Sequence, residues 1–235
     1  MSNKNSFFNI IDIQENFIVV NKAPGINFHD EDNLGQGLFS LVSQFFNQTS
    51  NDNLYPVHRL DKMTSGLILF ARNLVTAQQF QQLFSQHCVE KYYLAISDKK
   101  PKKKQGVIKG DMEKSRRGSW KLLRSQKSPA ISQFFSYALS EGKRLYLIKP
   151  HSGKTHQIRV ALTSIGAPIL GDQRYYGQCC QDRGYLHAYA LKFLLGTKSY
   201  HYILPPSNGE HYLKDNTMGQ LAKLAVPWLI RWPKI

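Results

Sequence analysis

The sequence is poor in cysteine, poor in acidic residues and free of long apolar runs. Its three cysteines, Cys88, Cys179 and Cys180, are odd in number and lack C-x-x-C spacing, which argues against a disulfide framework or a structural zinc site. No apolar run approaches the roughly 20 residues that cross a bilayer. No apolar segment with a small-residue cleavage site opens the chain. We therefore expect a cytoplasmic protein with reduced thiols and no membrane association.

Motifs for nucleotide hydrolysis and for metal binding are also missing. Residues 152–155 (SGKT) look like the end of a phosphate-binding P-loop, but that motif requires glycine at position 148, where Ile148 stands. The eight histidines form neither H-E-x-x-H nor a cysteine–histidine cluster at metal spacing. We expect no metal, and the lack of clustered acidic residues argues against a metal-dependent nuclease.

Positive charge is what the sequence has in excess. The chain carries 31 Lys and Arg against 16 Asp and Glu, which gives a net charge of +15 and a pI near 9.7. Residues 91–127 alone hold 13 Lys or Arg and 3 Asp or Glu, interleaved with Tyr92, Tyr93 and Trp120. Such a run is a solvated face, a disordered tail or a basic hairpin on a folded domain. The charge indicates a polyanionic partner, and we favour nucleic acid over a membrane surface because the sequence shows no basic amphipathic helix.

The order of predicted elements indicates an α+β fold. No linker or internal repeat divides the 235 residues, so we expect a single domain over residues 1–235. Apolar runs and alternation predict strands at residues 16–21, 66–72, 91–97, 131–139, 144–149 and 186–195. Helical spacing predicts helices at residues 34–47, 74–87, 155–165 and 218–225. Strands dominate without regular β-α-β-α alternation, which favours a large mixed or antiparallel sheet with flanking helices.

One short segment carries charges at a place where functional sites often lie. Arg59 and Asp61 fall between a turn at Pro56 and the strand predicted to start near Gly66, and loops at strand ends commonly carry functional residues. From these residues alone two interpretations stay open. The charges form an ion pair that fixes a turn, or Asp61 is a carboxylate held for reaction beside a cation that keeps it ionised.

The wider sequence resembles the RluA-type RNA pseudouridine synthases at five separated places. The strongest match is residues 58–66 (HRLDKMTSG), which agree with the family motif H-R-L-D-x-x-T-S-G at every fixed position. The other matches are residues 21–25 (NKAPG) followed by His29, residues 91–93 (KYY), residues 153–160 (GKTHQIRV) followed by Gly166, Pro168, Ile169, Gly171, Asp172 and Tyr175, and residues 186–188 (LHA). The resemblance covers about residues 16–195, and five motifs in the right order are a specific signal.

The resemblance implies an RNA-modifying isomerase that needs no cofactor and no metal. It places Asp61 at the reacting centre, Arg159 as the salt-bridge partner of that carboxylate and Tyr93 stacked on the target uracil. Arg59 would fill the stack that a flipped-out uridine vacates. From the residues alone, two other interpretations stay open: Tyr93 is a core tyrosine on a strand, and Arg159 is an arginine on a helix surface. Four further residues are expected to bind substrate: His58, Thr64, Lys154 and His156.

Departures from the family pattern narrow what the resemblance implies. Lys154 stands where the family more often has arginine, and Ala161 where histidine is common, which bears on RNA contacts more than on catalysis. The chain begins directly with the first catalytic-domain strand, so we expect no S4-type RNA-binding domain. We expect a monomer that acts on a tRNA or rRNA stem-loop. The alternative is a noncatalytic RNA-binding or RNA-remodelling protein with the same fold, against which the intact Asp61 argues.

Overall fold

The computed structural model describes residues 7–31, 34–49, 53–177 and 180–235. The chain forms two compact units. The first is made of Met1–Val89 and Leu191–Leu204, and the second of Glu90–Ala190 and Pro205–Ile235. The strands form a large mixed sheet accompanied by a few helices. The predicted α+β fold class is therefore confirmed.

Twelve strands and five α-helices lie within the described residues. The strands are β1 (Phe8–Ile13), β2 (Phe17–Lys22), β3 (Tyr55–Pro56), β4 (Ser65–Ala71), β5 (Glu90–Ser97), β6 (Gln105–Gly110), β7 (Met112–Lys114), β8 (Trp120–Leu122), β9 (Ala130–Ala138), β10 (Arg144–Pro150), β11 (Leu186–Leu195) and β12 (Lys198–Ile203). The helices are α1 (Leu38–Thr49), α2 (Leu74–Ser85), α3 (Gln157–Ser164), α4 (Glu210–Leu213) and α5 (Asp215–Ala222). Short 3-10 helices occur at Arg116–Gly118 and Pro227–Leu229.

In the first unit, β2 pairs antiparallel with β1 on one side and with β4 on the other. Phe17 of β2 and Leu69 of β4 lie in a buried apolar cluster with Phe80 of α2 and Phe193 of β11. The rings of Phe17 and Phe80 meet edge to face, with centroids 5.6 Å apart. This core fixes β4, and with it the end of the loop 57–64 that directly precedes the strand.

In the second unit, four strands pair antiparallel in the order β5, β10, β9, β6. Leu145 and Leu147 of the inner strand β10 are fully buried. After β6 the chain forms a two-stranded hairpin, β7–β8, in which Met112 lies opposite Leu122. The basic stretch 91–127 is therefore built of strands and a hairpin, and the alternative of a disordered tail is wrong.

Most predicted elements agree with the structure. The strand at residues 186–195 is β11 without change. The strands predicted at residues 16–21, 66–72, 91–97, 131–139 and 144–149 are confirmed to within one residue at each end. The helix predicted at residues 74–87 is α2, which ends two residues earlier. Most of these strands are almost continuously buried along their length, so their short apolar runs give a strong sequence signal.

Three predicted helix boundaries are wrong. The helix predicted at residues 34–47 begins only at Leu38, because Gly35 takes φ +81° and the chain before the helix is a loop. The helix predicted at residues 155–165 begins two residues later, since His156 lies in the left-handed region at φ 58°. The predicted fourth helix is α5, which lies three residues nearer the amino terminus.

Several short or edge elements were not predicted at all. They are β1, β3, β6, β7, β8, β12 and α4. Along β7 and β12 the side chains alternate between exposed and half-buried or are simply exposed. Strands of this kind carry little apolar signal, because hardly any of their surface is buried.

Three other expectations concern the whole chain. Cys88 and Cys180 are exposed free thiols, and Cys179 lies outside the described residues. None of the helices in the described ranges is both long enough and apolar enough to span a bilayer. The single domain over residues 1–235 stays a prediction beside the two compact units.

Candidate active site

Asp61 is half-buried in a tight turn directly before β4. The Thr64 N–H donates to the Asp61 carbonyl at 3.0 Å and closes the turn, while the Gly25 N–H donates to the Lys62 carbonyl at 2.8 Å. Gly25 takes φ +89°, a conformation that glycine adopts without the steric penalty of a side chain. The backbone on the carboxyl side of Asp61 is thus held at two points.

A fully buried lysine clamps the same turn. Lys22 ends β2 and is 0% exposed. Its ammonium group donates to the carbonyls of Ala23 at 2.9 Å, Lys62 at 3.1 Å and Thr64 at 2.7 Å. Three carbonyls match the three donors of an ammonium group, which offsets the cost of burying the charge. Lys22, which belongs to the motif at residues 21–25, therefore positions the motif at residues 58–66.

His58 fastens the loop that leads to the turn. β3 pairs with β4 only as far as Pro56, and the Leu69 N–H of β4 donates to His58 Nε2 at 3.0 Å. The His58 ring packs against Phe84 of α2, with centroids 4.9 Å apart. His58 therefore positions the loop through an unprotonated Nε2. The neighbouring side chain, Arg59, is exposed to solvent.

The adjacent tyrosines of β5 point to opposite faces of the sheet. Tyr92 is 0% exposed and donates its hydroxyl to Glu90 at 2.5 Å. Burial and this carboxylate raise the pKa of Tyr92. Tyr93, which pairs with Ile148 of β10, is only half-buried. Lys91 shares the face of Tyr93, and burial lowers the pKa of Lys91. Tyr93 is thus the accessible ring of the pair.

Arg159 of α3 is buried, with 7% exposure, so the helix-surface interpretation is wrong. Its Nε and Nη2 donate to the two carboxylate oxygens of Asp172 at 2.7 and 2.8 Å. Asp172 also accepts from the N–H groups of Arg174 at 3.1 Å and Tyr175 at 3.2 Å. The guanidinium carbon lies 5.0 Å from the centre of the Tyr175 ring. These contacts fix the plane of the guanidinium group. The ion pair expected between Arg159 and Asp61 stays a prediction.

His156 and Lys154 lie in the loop that leads to α3, and both contact other loops. His156 Nδ1 is 2.9 Å from the Tyr175 hydroxyl, which accepts from the Trp120 N–H at 2.9 Å. The Lys154 ammonium donates to the carbonyl and the hydroxyl of Ser128. These contacts hold the loop in place. A further role of Lys154 and His156 in RNA binding stays a prediction.

Three buried polar residues that received no role from the sequence organise these loops: Lys22, Asp172 and Gln157. Gln157 is 5% exposed, and its amide donates to the Ile131 carbonyl and the Ser132 hydroxyl, each at 3.0 Å. A lysine directly after the apolar strand run was the available signal for Lys22. Asp172 and Gln157 stood inside recognised motifs, but their partners are set by the tertiary fold.

Comparisons with known proteins agree with the motifs that carry these side chains. The sequence model of the family described as RNA pseudouridylate synthase matches residues 16–164, more than half of the chain. An uncharacterized RNA pseudouridine synthase of Haemophilus influenzae is 45% identical over 207 residues, which cover 87% of this chain and 90% of that protein. The chain belongs to the RNA pseudouridylate synthase family. As an RNA pseudouridine synthase it is an isomerase.

Two relatives of this pseudouridine synthase carry more specific names. Ribosomal large subunit pseudouridine synthase C of Rickettsia bellii is 32% identical, over 68% of this chain and 54% of that protein. Ribosomal large subunit pseudouridine synthase D of Borreliella burgdorferi is 31% identical, over 81% of this chain and 62% of that protein. The matched region spans about half of the Rickettsia protein and less than two thirds of the Borreliella protein.

Solved structures share the fold of this pseudouridine synthase. Human RNA pseudouridylate synthase domain containing 1 superposes with a TM-score of 0.69 at 24% identity, over 85% of this chain and 83% of that chain. Human RNA pseudouridylate synthase domain containing 4 gives 0.69 at 23% identity, over 92% and 93%. Since identity is low, the likeness speaks for the fold.

Proposed function

We propose that this pseudouridine synthase isomerises uridines in structured RNA, with the Asp61 carboxylate at the reacting centre. The observation that carries the proposal is the anchoring of the Asp61 turn by Thr64, Gly25 and the buried Lys22. A carboxylate that must meet a sugar carbon needs a fixed backbone, because a misplacement of about 1 Å lowers the rate about 100-fold. A loop used only for RNA binding has no such requirement.

The chemistry requires a carboxylate beside the sugar. Isomerisation breaks the N1–C1′ bond of uridine, turns the uracil, joins C5 to C1′, removes the C5 proton and leaves a proton on N1. Asp61 acts as nucleophile, as base, or as the stabiliser of positive charge that develops at C1′, as in glycoside cleavage. No step changes the oxidation level, so the reaction requires no redox cofactor.

Tyr93 and Arg159 complete the proposed centre. The accessible Tyr93 ring would stack on the flipped uracil, and its phenol would assist transfer of the C5 proton. Arg159 would pair with Asp61 and keep that carboxylate ionised. The bidentate contact of Asp172 with Arg159 supports this role, because it takes the Nε–Nη2 edge, so that a second carboxylate would approach the guanidinium from another edge.

The remaining residues are proposed to hold RNA. A stacked uridine hides its C1′ and C5 faces, so the enzyme must extrude it at a cost of about a few kcal/mol. The exposed Arg59 guanidinium would fill the vacated stack. His58, Thr64, Lys154 and His156 would then support the RNA-facing loops, and the basic residues of 91–127 would contact phosphates.

Large-subunit ribosomal RNA is the first substrate to test. The names of the Rickettsia and Borreliella relatives motivate it, and a tRNA stem-loop is the second candidate. We propose that the enzyme acts in the cytoplasm, where both RNAs are present, and that it is a monomer.

Mapping of pseudouridines tests this proposal directly. RNA from cells with and without the gene is chemically labelled, and we expect at least one pseudouridine of large-subunit ribosomal RNA to be lost. The purified chain should then release tritium from 5-tritiated uridine in a transcript of that region. A site lost from tRNA instead would redirect the substrate. Loss of no site, together with no tritium release, would contradict the proposed function.

A further inference from the structure

A groove in the first unit lies beside the Asp61 turn, and the chemistry above does not use it. Its volume is about 470 Å³, inside the range of roughly 300–1,000 Å³ typical of small-ligand sites. Five of its lining residues are Ile26, Asn27, His29, Leu41 and Lys62. Apolar side chains, an amide, an imidazole, an ammonium group and the Glu31 carboxylate thus meet around one concave surface.

Three polar side chains of this groove keep hydrogen-bonding capacity. Within the described ranges, no hydrogen bond or ion pair engages the Asn27 amide, the His29 imidazole or the Lys62 ammonium group. Asn27 is half-buried, while His29 and Lys62 are exposed. An amide and an imidazole each donate and accept, and the ammonium group adds a positive charge. This set matches a ligand with a polar edge and an anionic group.

The rim of the groove is held by Asp30. Its carboxylate accepts from the N–H groups of Gly35 at 2.8 Å and Gly37 at 2.6 Å and from the Ser40 hydroxyl at 2.9 Å. The two backbone N–H groups lower the pKa of Asp30. A Cβ at Gly37 would lie 2.4 Å from the carbonyl carbon of His29, so a larger residue there would displace the rim. A held rim reduces the ordering cost of binding.

The groove and the proposed reacting centre share one turn. Lys62 directly follows Asp61, and consecutive Cα atoms are about 3.8 Å apart. The Lys62 carbonyl is held by Lys22 and Gly25, so its side chain leaves a fixed backbone. The lining of the groove therefore comes within one residue of Asp61 along the chain.

We propose that this groove binds a nucleotide of the substrate RNA that neighbours the target uridine. Lys62 would contact its phosphate, Ile26 and Leu41 would pack on the base face, and Asn27 and His29 would meet the base edge. Unpaired bases are recognised by such a combination of face and edge contacts. The proposal rests on the proposed function for its RNA substrate, and it makes the groove a determinant of sequence choice beside the uridine.

Titration with mononucleotides tests the groove without any RNA turnover. Each of the four nucleoside 5′-monophosphates is added to the ¹⁵N-labelled chain, with ribose 5-phosphate and inorganic phosphate as separate probes. We expect saturable shifts of the Gly25, Gly37 and Lys62 amide signals with at least one nucleotide, and about tenfold weaker binding in His29→Ala. The matched control, His201→Ala on β12, should bind like wild type. Equal shifts with inorganic phosphate, or none with any nucleotide, would overturn the proposal.

An abasic scan then tests the link to substrate RNA. Single bases are removed from a stem-loop around the mapped uridine, and single-turnover tritium release is compared for wild type and His29→Ala. One neighbouring position should lose about tenfold in wild type and little more in the variant, because both changes remove the same contact. Additive losses at every position would contradict the proposed role of the groove and leave the proposed function intact. Nucleotide binding in the groove without turnover of any RNA would contradict the proposed function and leave the groove as a nucleotide-binding site.

Discussion

The Asp61 turn and the β7–β8 hairpin are both charged connections, but they are held in opposite ways. The turn is held by Lys22, which is 0% exposed and donates hydrogen bonds to three carbonyls. At the hairpin, the Lys121–Glu113 pair has side-chain exposures of 57% and 55%. Exposed pairs contribute about 0–1 kcal/mol, whereas buried charges stripped of a partner are strongly destabilising. Substitutions at the turn should therefore act on turnover and stability, and those in the basic stretch on RNA affinity.

The largest effect is expected at the turn itself. Asp61→Asn keeps the size of the side chain but removes the carboxylate charge, so it should abolish tritium release from 5-tritiated uridine in RNA. RNA binding should stay within a few-fold of wild type, because the turn is held by backbone contacts. Asp215→Asn, an exposed carboxylate in α5, is the matched control and should turn over normally. Turnover of Asp61→Asn comparable to wild type would remove Asp61 from the mechanism.

The second effect concerns Arg159. Arg159→Ala should lower turnover far more than Arg159→Lys, because lysine keeps the positive charge. Lysine still loses the bidentate hydrogen bonding of the guanidinium. Arg159→Ala also leaves the fully buried Asp172 without its cation, so the free energy of unfolding in urea should fall by about 3–5 kcal/mol. Arg231→Ala, an exposed arginine, should change stability by less than about 0.5 kcal/mol.

A double variant separates folding from chemistry at the same place. Adding Asp172→Asn to Arg159→Ala removes the unpaired buried charge, so stability should partly recover while turnover stays low. If Arg159→Ala and Arg159→Lys both fold and turn over equally, the proposed role of Arg159 beside the Asp61 carboxylate is wrong.

The difference between the two regions also explains what the sequence could predict. The motif at residues 58–66 located Asp61, and the apolar runs of residues 66–72 and 186–195 located β4 and β11. Both signals are local. His58 illustrates the limit, because the family resemblance named it a substrate-binding residue without indicating that the Leu69 N–H donates to its ring.

Contacts between distant residues were beyond the sequence. Lys22 and Thr64 are separated by 42 positions, and no periodicity links them. Arg159 and Asp172 stood in recognised motifs, yet their bidentate pair follows from how α3 packs. The start of α1 at Leu38 was missed because a left-handed glycine, rather than an apolar period, decides it.

The third effect tests the buried clamp. Lys22→Met keeps the apolar stem and removes the ammonium group, so three carbonyls lose their donor. The free energy of unfolding should fall by about 1–3 kcal/mol, and turnover at saturating RNA should fall because the Asp61 turn loosens. Lys198→Met, an exposed lysine of the same unit, is the control and should behave as wild type in both assays. Equal stability and turnover in the two variants would show that the clamp does not position the turn.

The smallest effect on turnover is expected in the basic stretch. Lys102, Lys103 and Lys104 are exposed in the bend that precedes β6, so replacing all three with glutamine should leave the fold intact. Each phosphate contact contributes a counterion-release term, and the slope of log affinity against log salt should flatten by up to about 2–3 units. Single-turnover rates at saturating RNA should barely change, because these residues supply charge rather than reacting groups. Binding of a target stem-loop at several salt concentrations measures the slope. An unchanged slope would make the run a solvated surface only, and a collapsed single-turnover rate would give it a part in the reaction itself.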